Sequence, residues 1–405
     1  MSGERRVLVF SEAVTLAHAA RPRVVADDLH KRGHEVHLAA PTYYEDLFGT
    51  SEYSCHRICS VAPATFRKSL ARGARLYGTR RLRSYVQEDL RLIKNVQPDV
   101  IIGDFRLSLS VSARVAGTPY LALSNAYWSP YAELAFPVPD LPATRLIGVR
   151  AAQWLFDRIR LRVFGWHAAP LNRLRREYGL MPLPEDLRHA YTDGDVVLYA
   201  DIPDLVRLPG APPSHEVIGP IAWSPTVELP GWWQDIPVDS TVVYVNLGSS
   251  GDTAALPLVL SALEDLDVVA LVGTAGAELP RYLPRNCFAA RYVPGDQASE
   301  RSALVVCNGG SPSVHQALMA GKPVLGLPSN LDQFLNMQTV AAYGAGSLLR
   351  ARGLKVPALR TAIGELLRTR PEHRSATAAL QASCLHVDAL SSIDQRVRDQ
   401  KLYLG

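Results

Sequence analysis

A histidine and an aspartate in the N-terminal part of the chain are the residues best suited to moving a proton. His18 follows the β-branched and aromatic run at residues 7–10, and Asp104 ends the apolar run at 100–103. If both runs are strands of one parallel sheet, both side chains lie at its carboxyl edge, where open α/β sheets bind ligands. Imidazole titrates near neutral pH, and a carboxylate that accepts its Nδ1 proton fixes the tautomer. The pair predicts a general base with its orienting partner, although each residue alone is also typical of a surface or capping position.

A second candidate site lies in residues 303–337, which read ALVVCNGGSPSVHQALMAGKPVLGLPSNLDQFLNM. The apolar run at 303–307 predicts a buried strand, residues 308–310 break it, and a helix is predicted at 314–320 with Gly321 at its left-handed C-cap. Backbone N–H groups and the helix dipole at such a helix start favour phosphate. Asp332 and Gln333 are expected on the loop after the next strand, where they suit a ligand with hydroxyls. The alternative is an ordinary β-turn-α unit without a ligand.

This segment resembles the donor-binding signature of family 1 nucleotide-sugar glycosyltransferases. In that family a His-x-Gly-x-x-Ser/Thr run holds the diphosphate, an acid three residues later holds the ribose, and an Asp-Gln pair holds the sugar. Here Asn308 stands in place of the usual histidine, and Gln316 in place of the ribose acid. Tyr292, Val293 and the following proline are similar to the turn with which the family binds the base. The family also has a Gly-Ser turn that touches phosphate or sugar, and Ser249 and Ser250 stand at that position here. The resemblance implies a donor site made of Ser249, Ser250, Tyr292, Val293, Asn308, Gly310, Ser311, Ser313, Gln316, Asp332 and Gln333.

The same resemblance implies catalytic roles for His18 and Asp104. The family carries its catalytic histidine in a Gly-His pair, and here Ala17 replaces that glycine.

Residues 145–178 combine many arginines with aromatic side chains. They predict one or two amphipathic helices, which either have a solvated arginine face over packed aromatic residues or contribute to an acceptor pocket or membrane surface. The candidate acceptor residues are Asn125, Tyr127, Trp128, Tyr131 and Trp154.

Composition limits the class of protein. The 405 residues are 47% hydrophobic and 20% charged, which is the balance of a globular protein rather than a disordered or membrane-spanning one. A net charge of +4 is too small to indicate nucleic-acid binding. The start MSGERRVLVF leads directly into a strand and contains no recognisable signal peptide. Five scattered cysteines favour reduced thiols and a cytoplasmic location.

The length predicts more than one domain, and the resemblance implies the α/β architecture called GT-B. In that architecture two Rossmann-like domains face each other across a cleft, and a C-terminal helix crosses back to the first domain. We expect an N-terminal acceptor-binding domain at 1–208 and a linker at 209–224, where proline and glycine are dense. A donor-binding domain is expected at 225–387 and the returning helix at 388–405.

The predicted function is inverting transfer of a sugar from a UDP- or dTDP-sugar to a hydroxyl of a small, apolar acceptor. No metal or other cofactor is expected: Asp193 and Asp195 are interpreted as a strand-entry turn, and Cys55, His56 and Cys59 as an ordinary surface segment. Two alternatives stay open, namely a nucleotide-sugar epimerase on the same scaffold and a non-catalytic relative that binds nucleotide or a partner protein. The sequence does not indicate an oligomeric state.

Overall fold

The computed structural model describes residues 3–248, 253–368 and 371–399 of the chain. The described chain forms two α/β domains, each built on a parallel sheet whose central strands are buried on both faces. The N-terminal sheet has the order β3-β2-β1-β4-β5-β6-β7, and its strands are β1 (Arg6–Ser11), β2 (Glu35–Ala40), β3 (Ser54–Arg57), β4 (Val100–Asp104), β5 (Tyr120–Ser124), β6 (Val196–Tyr199) and β7 (His215–Val217). The C-terminal sheet has the order β10-β9-β8-β11-β12-β13, and its strands are β8 (Val242–Asn246), β9 (Val269–Gly273), β10 (Cys287–Ala290), β11 (Leu304–Cys307), β12 (Val324–Gly326) and β13 (Gly346–Leu348).

Helices pack on both faces of each sheet. The helices in the N-terminal half are α1 (Leu16–Lys31), α2 (Pro63–Arg72), α3 (Thr79–Val96), α4 (Leu109–Ala116), α5 (Pro142–Glu177) and α6 (Leu187–Tyr191). Those in the C-terminal half are α7 (Leu256–Glu264), α8 (Gly295–Arg301), α9 (Ser311–Met319), α10 (Leu331–Tyr343), α11 (Val356–Leu367), α12 (Pro371–Leu385) and α13 (Ala389–Arg398). In the described residues, none of these helices combines the length and the apolar run needed to traverse a bilayer.

The strand order places both candidate sites at a topological switch point. In the first sheet β1 lies between β2 and β4, and Ser11 at the end of β1 is in register with Asp104 at the end of β4. In the second sheet β11 pairs with both β8 and β12. The crevice outside the carboxyl ends of such strands is where open α/β sheets bind ligands. The predicted pair of Rossmann-like domains is confirmed.

The C-terminal helix also lies where it was predicted. Helix α13 packs Ile393 and Val397 into the core that holds Val25 and Leu29 of α1. Nε2 of His34 in the N-terminal domain lies 2.7 Å from Oδ1 of Asp394 on this helix, within hydrogen-bond distance. The tail therefore crosses back to the first domain, as far as residue 399. Residues 400–405 of the predicted segment lie outside the described residues.

Two local expectations differ from the structure. The predicted linker at 209–224 contains β7, which pairs with β6 and extends the first sheet, so the irregular connection follows Val217. Asp332 and Gln333 lie in the first turn of α10 rather than on a loop. The reason is a capping box, in which the Asn330 side chain accepts from the Gln333 N–H and the Gln333 side-chain oxygen accepts from the Asn330 N–H. This pair of hydrogen bonds starts the helix at the residue before Asp332.

Candidate active site

The histidine and the aspartate singled out in the first domain are in direct contact. His18 lies in the first turn of α1, and its Nδ1 is 2.7 Å from Oδ1 of Asp104. Burial alone would raise the pKa of Asp104, but Arg21 and His18 together hold it below its ordinary value. Asp104 is therefore a carboxylate that accepts from Nδ1 of His18, and Nε2 is the ring nitrogen that makes no contact with Asp104. The His18 ring also stacks on Phe105 at 4.8 Å between centroids, so its plane is fixed.

Arg21, which the sequence analysis did not select, holds the other side of Asp104. Its guanidinium donates Nε to Oδ2 at 2.6 Å and a terminal nitrogen to Oδ1 at 2.9 Å. A bidentate pair of this kind fixes both the position and the charge of the carboxylate. Arg21 comes three residues after His18 on the same helix, so a search for partners at helical spacing would have found it.

A chain of hydrogen bonds continues from Arg21 to the second domain. Arg21 donates to the side-chain oxygen of Asn125 at 3.1 Å, and the Asn125 amide donates to Asp201 at 3.1 Å. His315, on α9 of the C-terminal domain, contacts the same Asp201 oxygen at 3.0 Å. Sequence reasoning missed both Asp201 and His315, because no motif places Asp201 near α9. The network connects the candidate base to the helix of the candidate phosphate site.

The candidate phosphate site is the N-terminus of α9. The side-chain oxygen of Asn308 accepts from the Gly310 N–H at 2.9 Å and so shapes the turn that precedes the helix. Gly309 has φ 83°, and a Cβ there would lie 2.5 Å from Cγ of Met337, so the turn requires glycine. Asn308, Gly310, Ser311 and Ser313 all line one cavity, as predicted for a donor site. Helix N–H groups at such an end bind anions without a charged side chain.

Gln316 has a different environment from the one its position implied. Its side-chain amide donates to the Trp223 carbonyl at 2.7 Å and to the Ser224 hydroxyl at 3.0 Å. It therefore holds the connection between the domains, although it also lines the cavity. Trp223, which was not predicted, lines the same cavity and packs on Phe48 at 5.2 Å between centroids.

Tyr292 and Val293 also line this cavity, next to Gly273 of β9. The predicted base-binding turn and the α9 turn therefore open on one space. Ser249 and Ser250, the other predicted phosphate contacts, lie outside the described residues.

Asp332 and Gln333, adjacent in sequence, have different roles. Asp332 lines the cavity, and Trp128 donates its indole N–H to Oδ1 at 2.7 Å. Burial raises the pKa of Asp332 above its ordinary value. Gln333 is fully buried, and its side-chain oxygen accepts from the Ser329 N–H at 3.0 Å, so in this structure it caps α10 and does not line the cavity.

The cavity has a volume of about 410 Å³, and its lining includes His18, the α9 turn and side chains of the N-terminal domain. Its N-terminal part, the apolar end, includes Phe105 beside His18. The other apolar or aromatic side chains there are Phe66, Leu70, Leu76, Phe156, Ile159, Val163, Phe164, Leu187 and Tyr191. Asn125 and Trp128 line it as predicted for acceptor residues.

Three predicted acceptor residues do not line the cavity. Tyr127 is buried beneath it, and Tyr131 packs against His215 at 5.1 Å between centroids. Trp154 is 59% exposed with Arg158 over its ring, because the helical spacing of α5 turns Phe156 and Ile159 inward and Trp154 outward.

Comparisons with known proteins show the family of the chain. Residues 258–393 match the family described as "Erythromycin biosynthesis protein CIII-like, C-terminal domain". The chain is 46% identical over 363 residues to a "PGL/p-HBAD biosynthesis glycosyltransferase" of Mycobacterium tuberculosis (strain ATCC 25177 / H37Ra), which covers 90% of this chain and 85% of that protein. The chain belongs to the family 1 glycosyltransferases of GT-B fold. The predicted family and enzyme class are confirmed.

Other relatives of this glycosyltransferase carry related names. It is 46% identical over 376 residues to a "PGL/p-HBAD biosynthesis rhamnosyltransferase" of Mycobacterium bovis (strain BCG / Pasteur 1173P2), with 93% of this chain and 83% of that protein covered. An "Inactive PGL/p-HBAD biosynthesis glycosyltransferase" of the same strain is 45% identical over 259 residues, which is 64% of this chain and 71% of that protein. The solved "Spinosyn Rhamnosyltransferase SpnG complexed with thymidine diphosphate" is similar with TM-score 0.69 and 20% identity, covering 97% of this chain and 100% of that one.

The glycosyltransferase holds its Asp-x-Asp segment in ion pairs. Arg114 and Arg175 bind Asp193 at 2.9 and 2.6 Å, and Arg114 also binds Asp195 at 3.0 Å. This fits the predicted strand-entry turn before β6. Within the described residues, no group of three or more His, Cys, Asp or Glu side chains is arranged to hold a metal ion.

Proposed function

We propose that this glycosyltransferase transfers a sugar, with inversion, from a nucleoside diphosphate donor to a hydroxyl of an apolar acceptor, with His18 as general base. The observation that carries the proposal is the His18–Asp104 contact of 2.7 Å in the same cavity as the N-terminus of α9. A base and a diphosphate site that share one cavity are what a direct displacement needs. Asn308 and Gln316, the departures from the family pattern, both line this cavity.

In the proposed reaction Nε2 of His18 removes the proton of the acceptor hydroxyl as its oxygen attacks the anomeric carbon. The bond from that carbon to the diphosphate oxygen breaks from the opposite face, so configuration inverts. Asp104 stays ionised because Arg21 and His18 lower its pKa, and it stabilises the imidazolium that forms. The nucleoside diphosphate leaves with its charge facing the N–H groups at the start of α9.

We propose a dTDP-deoxyhexose as the first donor to test, with UDP-sugars second. Two relatives support this order, since one is named a rhamnosyltransferase and a structural neighbour was solved with thymidine diphosphate. Tyr292 lines the expected base pocket, and Asp332 lines the expected sugar pocket. The proposed contacts to the base, the diphosphate and the sugar therefore all lie in one cavity.

The proposed acceptor is an apolar molecule with a reactive hydroxyl, such as an aromatic natural product. The apolar end of the cavity supports this, because aliphatic and aromatic side chains recognise ligands mainly by removing apolar surface from water. An epimerase would not need an apolar acceptor pocket, and a non-catalytic binding protein would not need the contact between His18 and Asp104. We rank both alternatives below transfer.

The first experiment is thermal unfolding of the full chain with dTDP, UDP and GDP in the presence of a chelator. A nucleotide at about 100 times its dissociation constant adds roughly 2.7 kcal/mol to the free energy of unfolding. We expect stabilisation by dTDP or UDP. If no nucleotide stabilises the protein, the donor site proposed here is absent.

In the second experiment the protein is incubated with sugar donors that contain the stabilising nucleotide, together with a panel of phenols and other apolar alcohols. Mass spectrometry detects the glycoside, and NMR of its anomeric proton gives the configuration. The proposal predicts a glycoside of configuration opposite to that of the donor. Release of free epimerised sugar without acceptor would instead support the epimerase alternative, and a retained configuration would exclude the displacement described above.

A further inference from the structure

The outer face of α5 carries an unusual concentration of exposed apolar side chains. Of the large hydrophobic side chains exposed in the described residues, seven lie on this helix: Leu146, Ile147, Val149, Trp154, Leu155, Leu161 and Trp166. Leu146 is 86% exposed and Leu161 56%. Helix α5 is interrupted at Gly148, where φ is 77°, so the apolar side chains lie on two consecutive helical segments. Each of the seven side chains keeps more than a third of its surface exposed to solvent.

Positive charge is concentrated on α5 and on α2, and the segment after α2 adjoins α5 where Arg75 contacts Trp166. Residues 63–72 of α2 and 142–166 of α5 together contain eight Arg or Lys and one acid, which gives +7. The whole chain has a net charge of only +4, so the remainder is net negative. The exposed basic side chains are Arg67, Lys68, Arg72, Arg145, Arg150, Arg158 and Arg162. We call this surface, with the seven apolar side chains above, the basic-apolar face.

Arginines lie over the two tryptophan rings of this face. The guanidinium of Arg158 lies 3.7 Å from the centroid of the Trp154 ring, and that of Arg75 lies 4.0 Å from the centroid of Trp166. Arg75 also donates to the Trp166 carbonyl at 2.6 Å and so connects the segment after α2 to α5. Tryptophan beside arginine on a helix surface is the composition of helices that lie in the headgroup region of a membrane.

The apolar end of the cavity lies directly behind this face. Phe156, Ile159 and Val163 project into the cavity from the inner side of α5, and Leu70 lines it from α2. Leu70 is itself exposed at the surface. One helix therefore separates the cavity from the basic-apolar face, and an acceptor leaving an apolar phase beside α2 would travel only the thickness of these helices.

We propose that the basic-apolar face docks on a membrane surface that contains anionic lipids, with α5 lying in the headgroup layer. Lipid phosphates neutralise the arginines, and Trp154, Leu155 and Leu161 enter the apolar boundary. The docking is peripheral, since no described helix could traverse the bilayer. Docking rests on this surface alone, whereas delivery of an apolar acceptor from the membrane to the cavity rests on the proposed function.

The test is co-sedimentation of the full chain with vesicles of phosphatidylcholine, either pure or mixed with phosphatidylglycerol. We expect binding to the anionic vesicles that weakens as salt is raised, and little binding to pure phosphatidylcholine. The double variant Arg158→Gln/Arg162→Gln should weaken binding at least about tenfold, since each basic residue near an anionic surface contributes about 1 kcal/mol. The matched control is Arg281→Gln/Arg285→Gln, which removes two exposed arginines of the other domain and should leave binding unchanged.

A second pair of variants tests the apolar part of the face. Trp154→Gln/Leu161→Gln should weaken vesicle binding, whereas Val238→Gln/Leu385→Gln, at side chains that are 94% and 82% exposed elsewhere, should not. Equal binding by both pairs would overturn the proposal. A dimer in size-exclusion chromatography that the Trp154→Gln/Leu161→Gln variant dissociates would also overturn it, because the face would then join two copies of the chain. None of these measurements requires activity, so failed docking and failed transfer are distinguishable.

Discussion

The two sides of the cavity hold their functional groups by different means. On the N-terminal side His18 and Arg21 hold the buried Asp104 carboxylate through side-chain hydrogen bonds of 2.6–2.9 Å. On the C-terminal side the α9 turn presents backbone N–H groups, and its geometry depends on Gly309 and on the Asn308 side chain. The base must keep one tautomer and one charge state. The diphosphate, which brings its own charge, needs only donors at fixed positions.

This difference predicts different failures. A substitution on the base side should lower the rate of transfer and leave the nucleotide bound, because no side chain of the dyad belongs to the α9 turn. A substitution in the α9 turn should weaken nucleotide binding and stability together, because the backbone itself forms the site.

The largest effect is expected for His18→Ala. Loss of a general base lowers the rate by about 10²–10⁴-fold, so kcat should fall by that factor while thermal stabilisation by the nucleotide stays the same. His167→Ala is the matched control, since His167 also lines the cavity but has no contact with Asp104. Unchanged turnover in His18→Ala would remove the proposed base. A loss as large in His167→Ala would show that any change in the cavity has this effect.

Arg21→Lys should have the next largest effect. Lysine keeps the positive charge but not the two parallel hydrogen bonds to Asp104, and a hydrogen bond to a charged group contributes roughly 1.5–3 kcal/mol. We expect kcat to fall about tenfold or more with the donor KM unchanged. Steady-state kinetics and the melting temperature measure the two parts separately. If the donor KM rises and kcat does not change, Arg21 acts on the donor rather than on Asp104.

Gly309→Ala tests the backbone side. A left-handed φ costs an L-residue about 1–2 kcal/mol, and the new methyl group would also crowd Met337. We expect a lower melting temperature and weaker nucleotide binding in titration calorimetry. Gly353→Ala is a control for the backbone term, since Gly353 has φ 75° and nothing within 4 Å of the added carbon. Its stability should fall while its nucleotide affinity stays the same.

The sequence predicted the parts of the site that depend on local patterns. The apolar runs at 7–10 and 100–103 became β1 and β4, and strand ends at one sheet edge brought His18 and Asp104 together. The contribution of Arg21 could have been inferred from helical spacing. The Asp201–His315 contact could not, because it depends on how the second domain lies against the first.

Other differences arise from competition between neighbouring interactions. The Gln333 side chain accepts a hydrogen bond from the backbone at the start of α10, and the Gln316 side chain donates one to the Trp223 carbonyl. Neither amide therefore has the environment that its position in the motif implied. Trp154 lies outside the cavity because the direction of a side chain on α5 depends on which face the rest of the domain covers.

The smallest effect is expected for Asp332→Asn, and it should depend on pH. Asp104 and Asp332 are both buried carboxylates, but Arg21 and His18 lower the pKa of Asp104, whereas burial beside the neutral indole of Trp128 leaves that of Asp332 raised above its ordinary value of 3.8.

A group whose pKa is raised on folding contributes its full stability below the unfolded pKa and loses it as pH rises through the folded pKa. Asparagine does not ionise, so Asp332→Asn should gain stability over the wild type as pH rises from about 4 to 7. Asp104→Asn should show the opposite sign, with a loss that is complete above pH 4 and shrinks below it. Melting temperatures of both variants across this range measure the two slopes. Parallel slopes would mean that burial, rather than the charged partners of Asp104, determines the state of both carboxylates.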